Sequence, residues 1–273
     1  MQRLTIAVLG IALATTGSAG AAPTIVIDPG HGGADPGGVG TGQQEKTIVL
    51  DVSRRFANLL VADTADAAGG GSWVGFLTRN DDTAVSLASR SAYSNNKGAD
   101  RFMSIHANAF ADPGANGTET FSLVGTGTGA ALRNLVQAEM IAAWGLTNRG
   151  NKTANFAVLR DTAAPAVLHE LAFITNVPDA AKLASPEQRE LAAQAHLRAL
   201  QRHYNIAPYV PGQVVPPDGE KPGGVDGRID DTVDDDTTGA AVDGGCASGG
   251  GGSTLLTGLL GLGLVLARRR SRA

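Results

Sequence analysis

The sequence predicts an α/β protein, a single domain in which a mostly parallel, twisted sheet is flanked by helices. Three observations carry the expectation. From Thr24 to Tyr204 strand-like and helix-like stretches alternate, the order that builds parallel sheets with helical crossovers. The β-branched run Thr24-Ile25-Val26-Ile27-Asp28 ends in Pro29-Gly30, so a strand enters a loop at a residue that cannot extend a ladder. Finally, Ile48, Val49, Val52, Phe56, Leu59 and Leu60 recur at helical spacing within Glu45 to Ala62, which gives that helix one buried face.

The remaining elements are read in chain order. Val74 to Thr78 reads as a second strand, and Asp82 to Asn96 as a helix with Leu87 and Tyr93 turned inward. Arg101 to His106 is a third strand and Thr118 to Val124 a fourth. A glycine-rich loop over Gly125–Gly129 then leads into a helix from about Ala130 to Ala143. Pro165 to Ile174 is a further strand. The last helix opens on Ser185-Pro186-Glu187-Gln188, where serine caps, proline suits the first helical position and Gln188 suits a capping box.

The domain, residues 23–207, has dissimilar flanks. Residues 1–22 carry Arg3, the apolar run Leu4 to Leu13 and small residues through Ala22, as an export signal does. Residues 208–245 are rich in Pro, Gly and Asp and bury too little apolar area to offset their ordering entropy, so a disordered linker is expected. A calcium loop built from Asp230, Asp231, Asp234, Asp235 and Asp236 would lack the glycine and terminal glutamate of an EF-hand. The tail, 246–273, has the single cysteine Cys246, a Gly/Ser tract, an apolar run from Leu255 to Ala267 and Arg268-Arg269-Arg270. Counted from Gly249 the apolar stretch is near the lower limit for spanning a bilayer, which suggests membrane attachment. The tail also resembles the C-terminal sorting tags of myxobacterial surface proteins, which implies its removal and processing at Cys246. One cysteine excludes a disulfide within the chain, and a net charge of −4 offers no basic footprint for nucleic acid.

Candidate chemistry gathers at strand ends. His31, in Asp28-Pro29-Gly30-His31-Gly32-Gly33, and His106, closing Arg101 to His106, both stand at the carboxyl ends of strands, where open α/β sheets place their sites. Glu45 shares the inward side of its helix with Ile48 and Val49, and carboxylates are rarely buried unless paired or bound to metal. Two imidazoles and a carboxylate, with a fourth position for water, form the ligand set of several catalytic zinc sites. Glu170 lies inside the apolar strand Ala166 to Ile174, where desolvation would raise its pKa unless it met positive charge. Strict alternation puts Leu168, Glu170 and Ala172 on one face and His169 and Leu171 on the other, so His169 is left out of the site.

These residues, with the stretches Leu77-Thr78-Arg79, Ser104-Ile105-His106-Ala107-Asn108 and Glu170-Leu171-Ala172-Phe173-Ile174-Thr175-Asn176, resemble the zinc-dependent N-acetylmuramoyl-L-alanine amidases of the type-3 class. The resemblance spans about residues 24–204. It implies a peptidoglycan substrate, cut between the lactyl group of muramic acid and the first L-alanine of the stem peptide. It also implies His31, Glu45 and His106 as zinc ligands and Glu170 as catalytic acid/base. Arg160 matches the segment before the catalytic strand, which implies a substrate or oxyanion role, and Asn108 and Glu119 stand at motif edges beside the cleft. His169 and Ala172 depart from the family's usual apolar residue and glycine. The setting implied is the periplasm or cell surface. Two other functions stay open on the residues alone: another zinc peptidase of the cell wall, and a wall-binding module without catalysis.

Overall fold

The β-branched run near the start of the chain becomes a central strand of the sheet. The computed structural model describes residues 21–66 and 70–206, and the backbone of 225–226. The export segment up to residue 20, nearly all of the linker, and the tail with Cys246 lie outside the described residues. The chain runs β1 (Thr24–Pro29), β2 (Val39–Gly40), β3 (Gln43–Gln44), α1 (Glu45–Thr64), β4 (Val74–Leu77), α2 (Leu87–Asn96) and β5 (Arg101–Asn108). It continues through β6 (Thr118–Ser122), α3 (Gly127–Trp144), β7 (Asn148–Thr153), α4 (Ala157–Arg160), β8 (Ala166–Phe173), α5 (Val177–Ala184), α6 (Pro186–His203) and β9 (Val225–Asp226). No helix among the described residues is long and apolar enough to cross a membrane.

The main sheet has the order β7-β6-β8-β5-β1-β4-β9. β1 pairs in parallel with β4 and β5, and β5 with β8. β6 joins β8 antiparallel and takes β7 beside it in parallel, so the sheet is mixed at one side. The register sets Pro29 level with Ile105, and Ile105 level with His169. The carboxyl ends of β1, β5 and β8 therefore open at one edge of the sheet, and the loops that leave them share that edge.

Each face has its own core. Ile25, Ile27, Met103, Ile105, Val167 and Leu171 pack with apolar residues of α1, α3 and α6. Val26, Phe102, Phe121 and Leu168 pack on the other side with Tyr93 of α2 and with Val158 and Leu159 of α4. Fully buried Phe56 on α1 anchors the larger core. Removing such a ring costs about 3–5 kcal/mol.

The structure corrects several local expectations. The helix expected from Asp82 starts only at Leu87, because Ser86 caps it by accepting from the Ser89 amide. Gly127 to Gly129 belong to α3 rather than to the loop before it. Ser185 caps α6 as expected, accepting from the Gln188 amide. The polar edge strand β7, the short helices α4 and α5, and the β2–β3 pair carried no periodic apolar signal and were not expected. Alternation on β8 also stops early. His106 pairs with Glu170 but Asn108 pairs with Phe173, so β8 holds one extra residue after Glu170. Ala172 accordingly joins Leu171 in the larger core, not the face of Leu168 and Glu170.

Candidate metal centre

Among the described residues, His31, Glu45 and His106 form a group able to hold a metal ion, with one ligand atom from each and all of them within 4.8 Å of one another. Each side chain arrives from a different element. His31 comes after β1 in a loop where it takes φ +58, a conformation that is uncommon for a non-glycine residue and costs it energy. Glu45 is the first residue of α1, and His106 stands near the end of β5. Gly30 is required between them, since a Cβ there would run into the His106 imidazole.

The donor atoms converge on Glu45. Its Oε1 lies 3.2 Å from His31 Nε2 and 2.9 Å from His106 Nδ1, and it accepts from the Ala107 amide at 2.9 Å. Oε2 accepts from the Gly38 amide at 2.6 Å. The two rings stand 5.0 Å apart, centroid to centroid, at 78°. His31 Nδ1 bonds to Asp35 Oδ2 at 2.7 Å, which leaves Nε2 as the nitrogen that faces Glu45. A second carboxylate fixing the far nitrogen is the usual support of a ligating histidine.

Electrostatics favour a cation here. Burial lowers the His31 pKa, yet the hydrogen bonds and charges of Glu45 and Asp35 outweigh it and raise the value to about 9. Burial pushes the Glu45 carboxyl up, but His106 and His31 hold it well below the usual carboxylate range. This negative field would equally favour a divalent ion.

A scaffold of buried charge holds the loop. Asp28, fully buried, accepts from Thr78 Oγ1 at 2.6 Å, Ser104 Oγ at 2.7 Å and Arg90 Nη1 at 2.7 Å. Burial would raise its pKa, but Arg90 and the hydroxyls bring it below the ordinary value. Arg90 also donates to the carbonyls of Pro29 and His31, both at 2.6 Å. Arg79 donates to those of Pro29, Gly30 and Lys46. These two arginines fix the backbone that presents His31. Sequence reasoning gave no role to Arg90 or Asp35; the spacing of Asp35 four residues after His31 was the one signal available.

Glu170 is buried on β8 and is the register partner of His106 on β5, so both rise from the same sheet face. His169 points the other way, as alternation required, and bonds to Thr118 Oγ1 at 2.8 Å and His196 Nε2 at 3.0 Å. Arg160 is half exposed and doubly bonded to Asp161, at 2.8 and 2.9 Å. A cavity of about 420 Å³ opens beside the group, lined by Asp28, His31, Asp35, Arg90, His106 and Val158 among others. Arg160 is not among its lining residues. The connection from β5 to β6 contains no helix that would cover this opening.

A model of the family described as N-acetylmuramoyl-L-alanine amidase matches residues 25–202. Over 183 residues the chain is 38% identical to the sporulation-specific N-acetylmuramoyl-L-alanine amidase of Bacillus subtilis (strain 168), covering 67% of this chain and 68% of that protein. It is likewise 38% identical over 184 residues to the N-acetylmuramoyl-L-alanine amidase CwlM of Bacillus licheniformis, covering 67% and 69%. The catalytic domain of CwlV, an N-acetylmuramoyl-L-alanine amidase from Bacillus (Paenibacillus) polymyxa var. colistinus, superposes with a TM-score of 0.62 at 32% identity, over 68% of this chain and 99% of that one. With its matched region spanning the whole α/β domain, the chain belongs to the N-acetylmuramoyl-L-alanine amidase family.

Proposed function

We propose that the chain is a zinc-dependent amidase that hydrolyses peptidoglycan at the amide joining N-acetylmuramic acid to the L-alanine of the stem peptide. The observation that carries this reading is the convergence of His31, Glu45 and His106, with ligand atoms within 4.8 Å, next to Glu170 on the same sheet face. Two imidazoles and one carboxylate fit the ligand set of catalytic zinc, and the described residues include no cysteine to close the site as a structural one. Zinc bound there would supply Lewis acidity to the amide carbonyl and to the attacking water, lowering the pKa of that water from about 16 to about 7.

The protein's own residues supply the proton path. In this reading a Glu170 carboxylate oxygen accepts a proton from the attacking water and returns it to the amide nitrogen as the bond breaks. Both steps are needed, because an amine leaves poorly until protonated. Asp35 keeps His31 in the tautomer that presents Nε2, and the amides of Gly38 and Ala107 orient the Glu45 carboxylate. Arg160 is the weakest member of the proposal, since its pairing with Asp161 accounts for its contacts without a substrate.

A wall-cutting amidase works outside the cytoplasm, which agrees with reading residues 1–22 as an export signal. Removal of the 246–273 tail with processing at Cys246 is a separate proposal; intact-mass analysis of the mature protein finding the unmodified tail through Ala273 would refute it. The activity itself is tested on purified peptidoglycan, with and without chelator, followed by mass analysis of the products. Stem peptides that start at L-alanine support the reading, and cuts within the stem point to a peptidase instead.

A further inference from the structure

Beside Glu170, the same face carries a charged group that the metal centre does not use. Glu119 on β6 is the antiparallel partner of Glu170 and is fully buried. Its carboxylate accepts from Asn108 Nδ2 at 2.7 Å and Arg149 Nε at 2.9 Å, and it also pairs with Lys152 Nζ. One buried carboxylate thus anchors two cations, and Arg149 Nη1 also donates to the Asn116 carbonyl at 3.4 Å. The nearby carboxylate of Asp179 is met separately, by the backbone amides of Gly117 and Phe173.

A bulge aims both cations at this point. In an unbroken strand residues 149 and 152 would face opposite sides. Thr118 pairs with Asn148, but Glu119 pairs with Gly150, so β7 holds one residue more than β6, and that residue is Arg149. Gly150 takes φ +88, a left-handed conformation in which a side chain would be strained. Bulges of this kind re-aim side chains next to active sites. Arg149 lies over the Phe173 ring at 4.7 Å, and Lys152 over Phe121 at 5.8 Å. Both remain partly open to solvent, at 26% and 35%, while Glu119 is closed off. A buried carboxylate gains little from a surface ion pair after its own desolvation. Here it instead pre-positions two solvent-facing donors.

We propose that Arg149 and Lys152, anchored on Glu119, bind a carboxylate in the peptide arm of the substrate. The inference rests on the amidase reading and names what that site selects. His106, Glu170, Glu119 and the cation pair occupy successive strands β5, β8, β6 and β7 of one face. From β8 to β7 is two strand spacings, about 10 Å. An extended peptide covers about 3.5 Å per residue, so the carboxylate sits roughly two to three residues beyond the amide that is cut. A stem residue at that reach whose carboxylate is either free or amidated is the group selected. A free carboxylate accepts charge-assisted hydrogen bonds from arginine and lysine that the amidated form cannot match.

The test uses the full chain and two soluble muropeptides that differ only in whether this carboxylate is free or amidated. The wild type is expected to show a kcat/KM about tenfold or more higher on the free acid, chiefly through KM. In Lys152→Met the ratio between the two substrates falls towards one, and in Lys152→Arg most of it returns. Each ratio is read within one preparation, so a loss of folded enzyme cancels. A wild-type ratio near one overturns the proposal, as does an unchanged ratio in Lys152→Met. If the wild type cuts neither substrate, the amidase reading itself fails and takes this inference with it.

Discussion

His106 and Glu170 are direct neighbours across β5 and β8, so an imidazole of the metal group and a buried carboxylate stand side by side on one face of the sheet. The pairing is a matter of register. A slip of one residue between these strands would send Glu170 to the opposite face, into the core that holds Leu171. The bulge just after Glu170 falls beyond this pair and leaves it intact.

If Glu170 moves the proton, Glu170→Gln keeps the shape and loses the function. Turnover on peptidoglycan should fall about 100-fold or more, while bound metal, measured by elemental analysis, stays at the wild-type ratio. Wild-type turnover in the variant would remove Glu170 from the mechanism.

Asp35 accepts from the Gly37 amide through Oδ1 and bonds to His31 Nδ1 through Oδ2. Asp35→Ala should weaken metal affinity about 10- to 100-fold, read by competition with a chromogenic chelator. Activity should recover when metal is added in excess. An affinity equal to wild type would show that the Asp35 bond does nothing for the ligand.

The Asp28–Arg90 pair is buried on both sides. Asp28→Asn leaves the guanidinium without its counter-charge and should cost about 3–5 kcal/mol in urea unfolding at pH 7. The folded pKa of Asp28 is lowered. Its contribution is therefore complete above the unfolded value, about 3.9, and is lost as pH falls through the folded one. Wild type and variant should converge in stability as the solution is taken well below pH 4.

His169 and His196 form a buried chain, in which His196 Nδ1 also bonds to the Ala192 carbonyl at 2.7 Å. Burial lowers both pKa values, that of His196 to about 4 although the Ala192 bond opposes it, and that of His169 further helped down by His196. The folded state therefore binds fewer protons than the unfolded one below about pH 6.5. Stability should be full above that pH and decline as the solution is acidified towards pH 4. Replacing both rings, as in His169→Leu with His196→Leu, removes donor and acceptor together and should flatten this decline in denaturant titrations. An equally steep fall in the double variant would assign it to other groups.

The amino-acid order alone determined the α/β class, the buried faces of the long helices, the cap at Ser185, and His31, Glu45, His106 and Glu170 as candidates. It could do so because apolar periodicity, proline and glycine punctuation, and polar residues in apolar settings are local signals. Only the tertiary structure decided what depends on register between distant strands. That includes the pairing of His106 with Glu170, the return of Ala172 to the core, and the bulge that turns Arg149 and Lys152 onto Glu119. β7 escaped notice because an edge strand rich in polar residues has no alternation to read. Arg90 escaped because its partners, Asp28 and the Pro29 and His31 carbonyls, lie some sixty residues away in the chain, and nothing beside it in sequence marks a buried cation. Side-chain chemistry is written residue by residue, but which groups share one field is settled by how the strands align.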